Sequence, residues 1–165
     1  MDSTYKIFLK RAQNELNLST IIIKISNDKE MQLASFNLSP DTYYNATISH
    51  AYYSIFYSAK AYLLLKEIKT EAPEEHKKTI DEFSKLVEQG IIDVELLKIY
   101  QNALTKADTL LNIFQLEKRK RSQFTYKKIA QTNQEPAQES VHHAQFFLRN
   151  IFELCEKVTT EKESP

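Results

Sequence analysis

The sequence predicts an all-α protein, built as an up-and-down bundle of four long helices plus a short one. Its 165 residues include one glycine and four prolines, so little of the chain is suited to tight turns. No window alternates apolar and polar residues as a half-buried strand does, whereas long segments repeat apolar residues every three or four positions. We expect one domain over residues 1–159 and a disordered charged tail at residues 160–165.

The segment from Pro40 to Lys66 is predicted to form the central helix of this bundle. Ser39 can cap the first free backbone N–H groups, and proline is tolerated at the first helical position. Apolar residues then recur along one face, at Tyr44, Ile48, Tyr52, Ile55, Ala59 and Leu63. A second apolar stripe covers most of the remaining surface, so the helix must be surrounded by other helices or by lipid. Six tyrosines, together with Asn45, His50 and Lys60, would each need a partner in lipid, which favours a bundle in water.

Amphipathic patterns of the same kind predict the neighbouring helices. A first helix covers residues 3 to about 25, and a polar connection at residues 26–38 leads from it to the central helix. A short helix is predicted to begin at Pro73, and Gly90 stands where a left-handed C-terminal cap is favoured. Proline and glycine therefore mark the two ends of the short helix.

The two remaining long helices follow Gly90. One begins at Asp93 and keeps the apolar spacing until a basic segment interrupts it. The last helix is predicted to begin at Pro136. Its buried seam consists of Val141, Ala144, Leu148, Ile151, Cys155 and Val158. Cys155 is therefore expected to be a buried, inert thiol, because no base accompanies it in this seam.

The overall charge of the chain is balanced, with 22 basic and 22 acidic residues. Bulk electrostatics therefore do not make the whole chain a binder of polyanions. A single cysteine excludes an internal disulfide framework and fits a reducing compartment. Because the N-terminus has no apolar run of signal length and no segment is suited to lipid, we predict a cytoplasmic protein with no membrane partner.

The charge is unevenly distributed along the chain, and the basic segment, residues 118–134, shows this most clearly. It contains no acid and six bases, which are Lys118, Arg119, Lys120, Arg121, Lys127 and Lys128. It also carries Phe124 and Tyr126, and aromatic residues interleaved with bases are what single-stranded nucleic acid stacks on. A plain solvated surface is the alternative interpretation, both here and for the acid-rich stretch at residues 71–95.

Two patterns that could bind a metal or a cofactor are incomplete. Glu139 and His142 have the Glu-x-x-His spacing of a di-metal bundle, but such a site needs the motif twice. His142 and His143 are adjacent and point about 100° apart on a helix, so they do not form a chelating pair. A chain with one glycine also has no glycine-rich phosphate loop. We therefore predict no metal and no cofactor.

The order of these elements resembles the HEPN-domain family of small prokaryotic proteins. Residues 49–64 read Ser-His-Ala-Tyr-Tyr-Ser-Ile-Phe-Tyr-Ser-Ala-Lys-Ala-Tyr-Leu-Leu, which is similar to the Tyr-rich helix of that family. The other pieces follow in the expected order, namely His76, the Arg-x-x-x-x-Tyr element from Arg121 to Tyr126, and Ala-Gln-Phe-Phe at residues 144–147. The double-tyrosine helix followed by the arginine element is the most specific part of the resemblance.

The resemblance implies a helical domain that dimerises and binds RNA or a nucleotide. Many members of the family are metal-independent ribonucleases of toxin–antitoxin or defence systems, commonly encoded beside a small nucleotidyltransferase. Their catalytic motif is an arginine and a histidine separated by four to six residues, and two copies meet across the dimer axis. Arg121 matches the arginine of this motif, but Tyr126 takes the place of the histidine.

This departure affects catalysis more than binding. A histidine exchanges protons readily near neutrality, whereas a tyrosine with an ordinary pKa of about 10 is a poor base at pH 7. Two facing Arg121 side chains could still hold a phosphate, and Tyr126 could stack a base. These two are the candidate catalytic residues. The predicted binding residues are Arg119, Arg121, Phe124, Tyr126, Lys127 and Lys128, with Asn45 and Ser49 as supporting polar side chains.

Three interpretations of the function follow. The first is a homodimer that binds RNA or a nucleotide within a toxin–antitoxin or defence module. The second is a protein-interaction module that partners a nucleotidyltransferase and has no activity of its own. The third is a metal-independent endoribonuclease, which would need another proton carrier such as His76 or His142. Locally, Arg121 and Tyr126 could instead form a structural contact at a helix end, and Asn45 could be buried and satisfied by backbone.

Overall fold

A computed structural model gives the fold of residues 3–120 and 134–163, with side chains described except at residues 111–120 and 162–163. Its helices are α1 (Thr4–Asn27), α2 (Lys29–Phe36), α3 (Tyr44–Leu65), α4 (Glu75–Glu88), α5 (Val94–Lys120) and α6 (Gln134–Glu163). No strand occurs within these two ranges, and the all-α prediction is confirmed. The four long helices are α1, α3, α5 and α6, the predicted short helix is α4, and α2 is an additional short one.

Helix α3 lies at the centre of the bundle, where it contacts α1, α4, α5 and α6. Fifteen of its residues are buried, and they come from all sides of the helix. The largest fully buried side chains of the described chain include Phe56 and Tyr62 of α3, Phe83 of α4, Tyr100 of α5 and Phe147 of α6. The prediction that the Tyr-rich helix is surrounded by the others is therefore confirmed.

The start of α3 differs from the prediction. It begins at Tyr44, so the expectation that Pro40 is the first helical residue was wrong. The side-chain amide of Gln32 bonds to both the backbone N–H and the carbonyl of Asp41, at 2.8 and 2.9 Å. The hydroxyl of Ser26 accepts a hydrogen bond of 2.8 Å from the backbone N–H just before α3. These bonds from α1 and α2 hold the connection in a non-helical path past the proline.

Helix α4 also begins two residues later than its proline predicted. The chain passes Pro73, turns into the left-handed conformation at Glu74 (φ 60°), and becomes helical at Glu75. The end of α4 follows the prediction, because Gly90 is left-handed with φ 74° and its N–H donates to the carbonyl of Val87 at 2.9 Å. A side chain is disfavoured at such a φ, which explains why the only glycine stands there.

Helix α2 occupies most of the stretch that was predicted to be a polar connection. Asp28 caps it, since its carboxylate accepts a hydrogen bond of 2.9 Å from the backbone N–H of Met31. Asn37, in the left-handed conformation with φ 52°, ends it. Two well-formed caps therefore make a stable eight-residue helix from a segment that has little apolar periodicity.

The last two helices extend further than the apolar pattern suggested. Helix α5 continues to Lys120, so the first bases of the basic segment are helical. Helix α6 begins at Gln134 and contains Pro136 in its first turn. All six residues of its predicted seam are buried. It runs to Glu163, past residue 159, and the division of the chain at that residue stays a prediction.

None of the helices in the two described ranges combines the length and the apolar character that a bilayer-spanning segment needs. Helix α3 comes nearest in composition, but Tyr44, His50, Tyr52 and Lys60 have polar partners in the bundle. These four side chains are thus satisfied by protein, whereas the buried hydroxyl of Ser54 has no hydrogen-bond partner within the described residues.

Candidate functional site

The helices that flank the basic segment are fixed at one end of the bundle. A small buried cluster, here called the end cluster, consists of Ile23, Tyr44, Ile48, Ala137 and Val141, with Leu110 packed against it. Asn27, the last residue of α1, accepts hydrogen bonds from the hydroxyl of Tyr44 at 2.6 Å and from the amide of Gln134 at 3.5 Å. The last residue of the basic segment, Gln134, therefore lies beside the start of α3.

Two predicted supporting residues lie at this same end. Asn45 and Ser49 stand four positions apart on α3, on one side of the helix. Asn45 is exposed and Ser49 is half-buried, so the alternative of a buried Asn45 does not apply. Both side chains lie within the first two turns of α3, next to the end cluster.

The predicted binding residues are placed as far as the described chain reaches. Arg119 is the penultimate residue of α5, at a position whose side chain is not described. The other predicted residues lie outside the described residues, and they are Arg121, Phe124, Tyr126, Lys127 and Lys128. Their roles stay predictions, and so does any contact between them and α3.

A second group of polar and aromatic side chains lies where α4 begins beside α3. The imidazole of His76 stacks on the ring of Phe56, with centroids 3.9 Å apart and planes inclined by 9°. Its Nδ1 lies 2.7 Å from the hydroxyl oxygen of Tyr52. The ring of Tyr53 stands at 77° to the imidazole, with centroids 5.9 Å apart. These four residues, Tyr52, Tyr53, Phe56 and His76, are here called the aromatic corner.

Burial determines the protonation states of Tyr52 and His76 in the aromatic corner. It raises the pKa of the Tyr52 phenol, and the nearby Tyr53 and Asp108 raise it further, so the phenol keeps its proton at neutral pH. The Tyr52 phenol and the His76 Nδ1 share this hydrogen bond, and when the phenol donates, the neutral imidazole carries its own proton on Nε2. Partial removal from water lowers the pKa of His76, while Glu75 raises it and Lys60 lowers it. The corner therefore presents a neutral ring above pH 7.

A buried lysine fixes the start of α4 next to this corner. Lys60 of α3 pairs with the carboxylate of Glu75 and donates a hydrogen bond of 3.0 Å to the carbonyl of Thr70. Its side chain is 8% exposed, and its ammonium lies 5.0 Å from the ring centroid of Phe8. A buried ammonium needs such partners, so they determine where the connection and the first turn of α4 lie. His76, the next residue, is positioned by the same contacts.

The outer side of α3 extends from the aromatic corner toward α1. The ring of Tyr57 lies 6.1 Å from that of Tyr53, and the guanidinium of Arg11 lies 4.5 Å from the Tyr57 ring centroid. One turn before Tyr53 on α3, the Nδ1 of His50 is 2.6 Å from the carboxylate of Glu15. The guanidinium of Arg11 and the carboxylate of Glu15 therefore both lie on the α1 side of this surface.

The Glu-x-x-His pair on α6 is engaged elsewhere. Glu139 accepts a hydrogen bond of 2.6 Å from the ammonium of Lys106, and this bond lowers the pKa of Glu139. Its second oxygen lies 3.9 Å from His143, while His142 is exposed beside Gln138. Within residues 3–120 and 134–163, no three His, Cys, Asp or Glu side chains gather closely enough to hold a metal ion.

Sequence reasoning named His76 but missed what surrounds it. Tyr52 and His76 are 24 positions apart, and nothing in the local pattern of either residue indicates the contact. One signal was available, because Lys60 stands inside a nearly all-apolar helix and a charged residue there requires a partner. That requirement could have indicated an acid at the start of the following helix.

The comparisons with known proteins identify the family of this chain. A family model described as the HEPN domain matches residues 28–158, which include the aromatic corner. A protein of Methanocaldococcus jannaschii named "Putative toxin MJ0142" is 34% identical to this chain over 97 residues, or 58% of this chain. The chain spans 64% of the length of that relative. The comparison with solved structures found no match. Because the family model covers well over half of the sequence, this chain belongs to the HEPN domain family.

Proposed function

We propose that the protein binds single-stranded RNA or a nucleotide through the basic segment around Arg121. The observation that carries the proposal is the location of the segment's flanks. Leu110 of α5, eight residues before the segment, packs at the end cluster, and Gln134, the last residue of the segment, starts α6 beside it, at the end of the bundle that also carries Asn45 and Ser49. The bases of the segment have no acid among them, so a polyanion is the ligand that this charge attracts.

We further infer a role within a two-protein toxin–antitoxin or defence module. Membership of the HEPN domain family supports this inference, and so does the match to a relative that is named as a toxin. A second copy of the chain and a nucleotidyltransferase are the partners that the family resemblance implies. The acid-rich stretch supplies a surface for a basic partner, since Glu71, Glu74, Asp81 and Glu88 are exposed.

The binding proposal is tested with a fluorescent single-stranded RNA at several salt concentrations. We expect Arg121→Ala combined with Lys127→Ala to weaken binding at least tenfold, because two phosphate contacts are lost. The slope of log affinity against log salt should fall by about 1.4, since each single-strand contact contributes about 0.7. Fluorescence anisotropy measures both quantities.

A matched control removes the same charge elsewhere. Lys98 of α5 and Lys157 of α6 are exposed, so Lys98→Ala combined with Lys157→Ala changes the net charge equally. Equal loss of affinity in the two double variants would mean that the overall charge, and not the basic segment, binds RNA. Unchanged affinity in the Arg121 variant would contradict the proposed site.

The same RNA, incubated with the protein in EDTA, separates binding from catalysis. Cleavage that disappears in Arg121→Ala would establish the third interpretation, a metal-independent ribonuclease, despite the tyrosine at position 126. Binding without cleavage supports the proposal as stated. Absence of binding, together with a co-purifying nucleotidyltransferase, would favour the interaction module.

A further inference from the structure

The aromatic corner has the shape of a receptor for a planar ring. Phe56 covers one face of the His76 imidazole, and Tyr52 occupies its Nδ1. His76 is nevertheless exposed as a residue. Tyr53 is 39% exposed and stands nearly perpendicular to the imidazole, with ring centroids 5.9 Å apart. The two exposed residues thus set an imidazole floor and a phenol wall at nearly a right angle.

This right angle is held rigidly. Phe56 and Tyr52 are 2% and 6% exposed, and they form the support beneath the imidazole. The pairing of Lys60 with Glu75 fixes the residue that precedes His76. A ring that enters therefore meets side chains that are already ordered, and little conformational entropy is lost on binding.

The chemistry of the corner selects the class of ligand. A neutral imidazole and a phenol stack with planar aromatic rings, and the Nε2–H can donate a hydrogen bond to a ring nitrogen or a carbonyl. The carboxylate of Glu75 is neutralised by Lys60, and the guanidinium of Arg11 lies beyond Tyr57 at the outer side. A planar ring that carries hydrogen-bond acceptors fits this combination, and a nucleobase has these features.

We propose that the aromatic corner binds one base of the single-stranded RNA, or of the nucleotide, whose phosphates contact the basic segment. This inference rests on the proposed function. Asn45, Ser49 and Tyr53 follow one another at four-residue spacing on α3, from the end cluster to the corner. Eight residues of helix span about 12 Å, which is within reach of a short single strand. This side of α3 therefore leads from the end cluster to the aromatic corner.

The test places a stacking reporter in the ligand. The probe is an oligouridylate that carries one 2-aminopurine, a base whose fluorescence is quenched when it stacks on an aromatic ring. We expect the wild-type protein to quench it and Tyr53→Leu to abolish the quenching. Affinity by anisotropy should fall only about tenfold, because stacking of one base is lost and the phosphate contacts persist.

Two further variants complete the design. His76→Gln removes the floor of the corner and should also abolish quenching, which keeps the test valid if one variant folds poorly. Phe152→Leu is the matched control, since Phe152 is a similarly exposed aromatic residue, at 37%, on α6. Circular dichroism verifies that each variant is folded. Quenching that persists in both corner variants would overturn this inference.

The outcomes separate this inference from the proposed function. RNA binding that depends on Arg121, with quenching that is independent of Tyr53, overturns the corner alone. Quenching of 2-aminopurine riboside monophosphate that depends on Tyr53, without RNA binding, supports the corner with a free nucleotide as ligand. If the protein neither binds the RNA nor quenches the monophosphate, both proposals are overturned.

Discussion

At the scale of the single residue, His76 combines stacking, a hydrogen bond and partial burial. Its imidazole contacts Phe56 and Tyr52 in the folded protein and is surrounded by water in the unfolded chain. The loss of water lowers its pKa from the ordinary 6.5, even though part of the ring stays exposed. A protonated His76 is therefore less compatible with the fold than a neutral one.

We expect His76 to make the protein less stable in mild acid. Below pH 6.5 the unfolded state binds a proton before the folded state does, so the free energy of unfolding decreases as the pH falls through 6.5 toward the lower folded-state pKa. His76→Gln should show a weaker decrease over that window. Urea unfolding at pH 7.5, 6.5 and 5.5 measures the effect, with His142→Gln on the exposed surface as control. Parallel curves for wild type and His76→Gln would contradict this prediction.

The side chains of the candidate site could be predicted only in part. Asn45 and Ser49 share a side of α3, since two residues four apart on a helix do so, and their supporting role stays a prediction. The aromatic corner could not be predicted, because its geometry depends on how α4 returns to α3 after a connection without regular structure. Long-range contacts of this kind leave no local periodicity in a sequence.

At the scale of the element, an ion pair between the buried Lys60 and the partly exposed Glu75 joins α4 to α3. Lys60 satisfies the carbonyl of Thr70 in the connection and the carboxylate of Glu75 in the first turn of α4. The hydroxyl of Thr70 is bonded in turn to that of Thr79, at 2.8 Å, one turn further along α4. The connection is thereby attached to both helices through polar contacts.

We expect Lys60→Met to destabilise the protein by about 2 kcal/mol, because a buried carbonyl loses its donor and Glu75 loses its partner. Urea unfolding measures this change. Lys85→Met is the matched control, since Lys85 pairs with Glu82 on the surface of α4, and no measurable change is expected there. Tyr53-dependent stacking should weaken in Lys60→Met as well, because Glu75 precedes His76. A Lys60 variant as stable as the Lys85 variant would show that the pair contributes nothing.

The ends of the helices show which local signals were reliable. Gly90 marked the end of α4 correctly, because a left-handed residue is required there and glycine is suited to it. Pro40 and Pro73 marked starts that were too early, because proline permits a first helical turn without requiring one. The path before α3 is decided by hydrogen bonds from Ser26 and Gln32, whose partners are distant in sequence.

At the scale of the whole molecule, the fold was well predicted because every long helix contributes to one core. Aromatic residues from α3, α4, α5 and α6 meet there, and Phe83, Tyr100 and Phe147 lie with ring centroids within 6.0 Å of one another. Apolar periodicity reports this burial directly. The position of the start of α6 relative to α3 depends on packing at the end of the bundle, which periodicity does not report.

We expect the only thiol to be unreactive in the folded protein. Cys155 is 3% exposed, and burial raises its pKa to about 12, so almost no thiolate is present at neutral pH. A disulfide reagent such as Ellman's reagent should label it completely in urea and very slowly without urea. Cys155→Ala combined with Glu156→Cys moves the thiol to an exposed neighbouring position and serves as the reactive control. Equal labelling rates for the folded wild type and the folded double variant would contradict the prediction.

The labelling rate of the buried cysteine also measures how often the folded chain opens transiently. If reclosing is fast, the labelling rate divided by that of the unfolded chain equals the fraction of molecules in which α6 has separated from the core. A ligand that binds only the folded chain lowers this fraction in proportion to its occupancy. Cys155 lies about 27 Å along α6 from Ala137 of the end cluster, at a rise of about 1.5 Å per residue. Thiol kinetics would therefore detect RNA at one end of the bundle from the other end, with no label on the RNA.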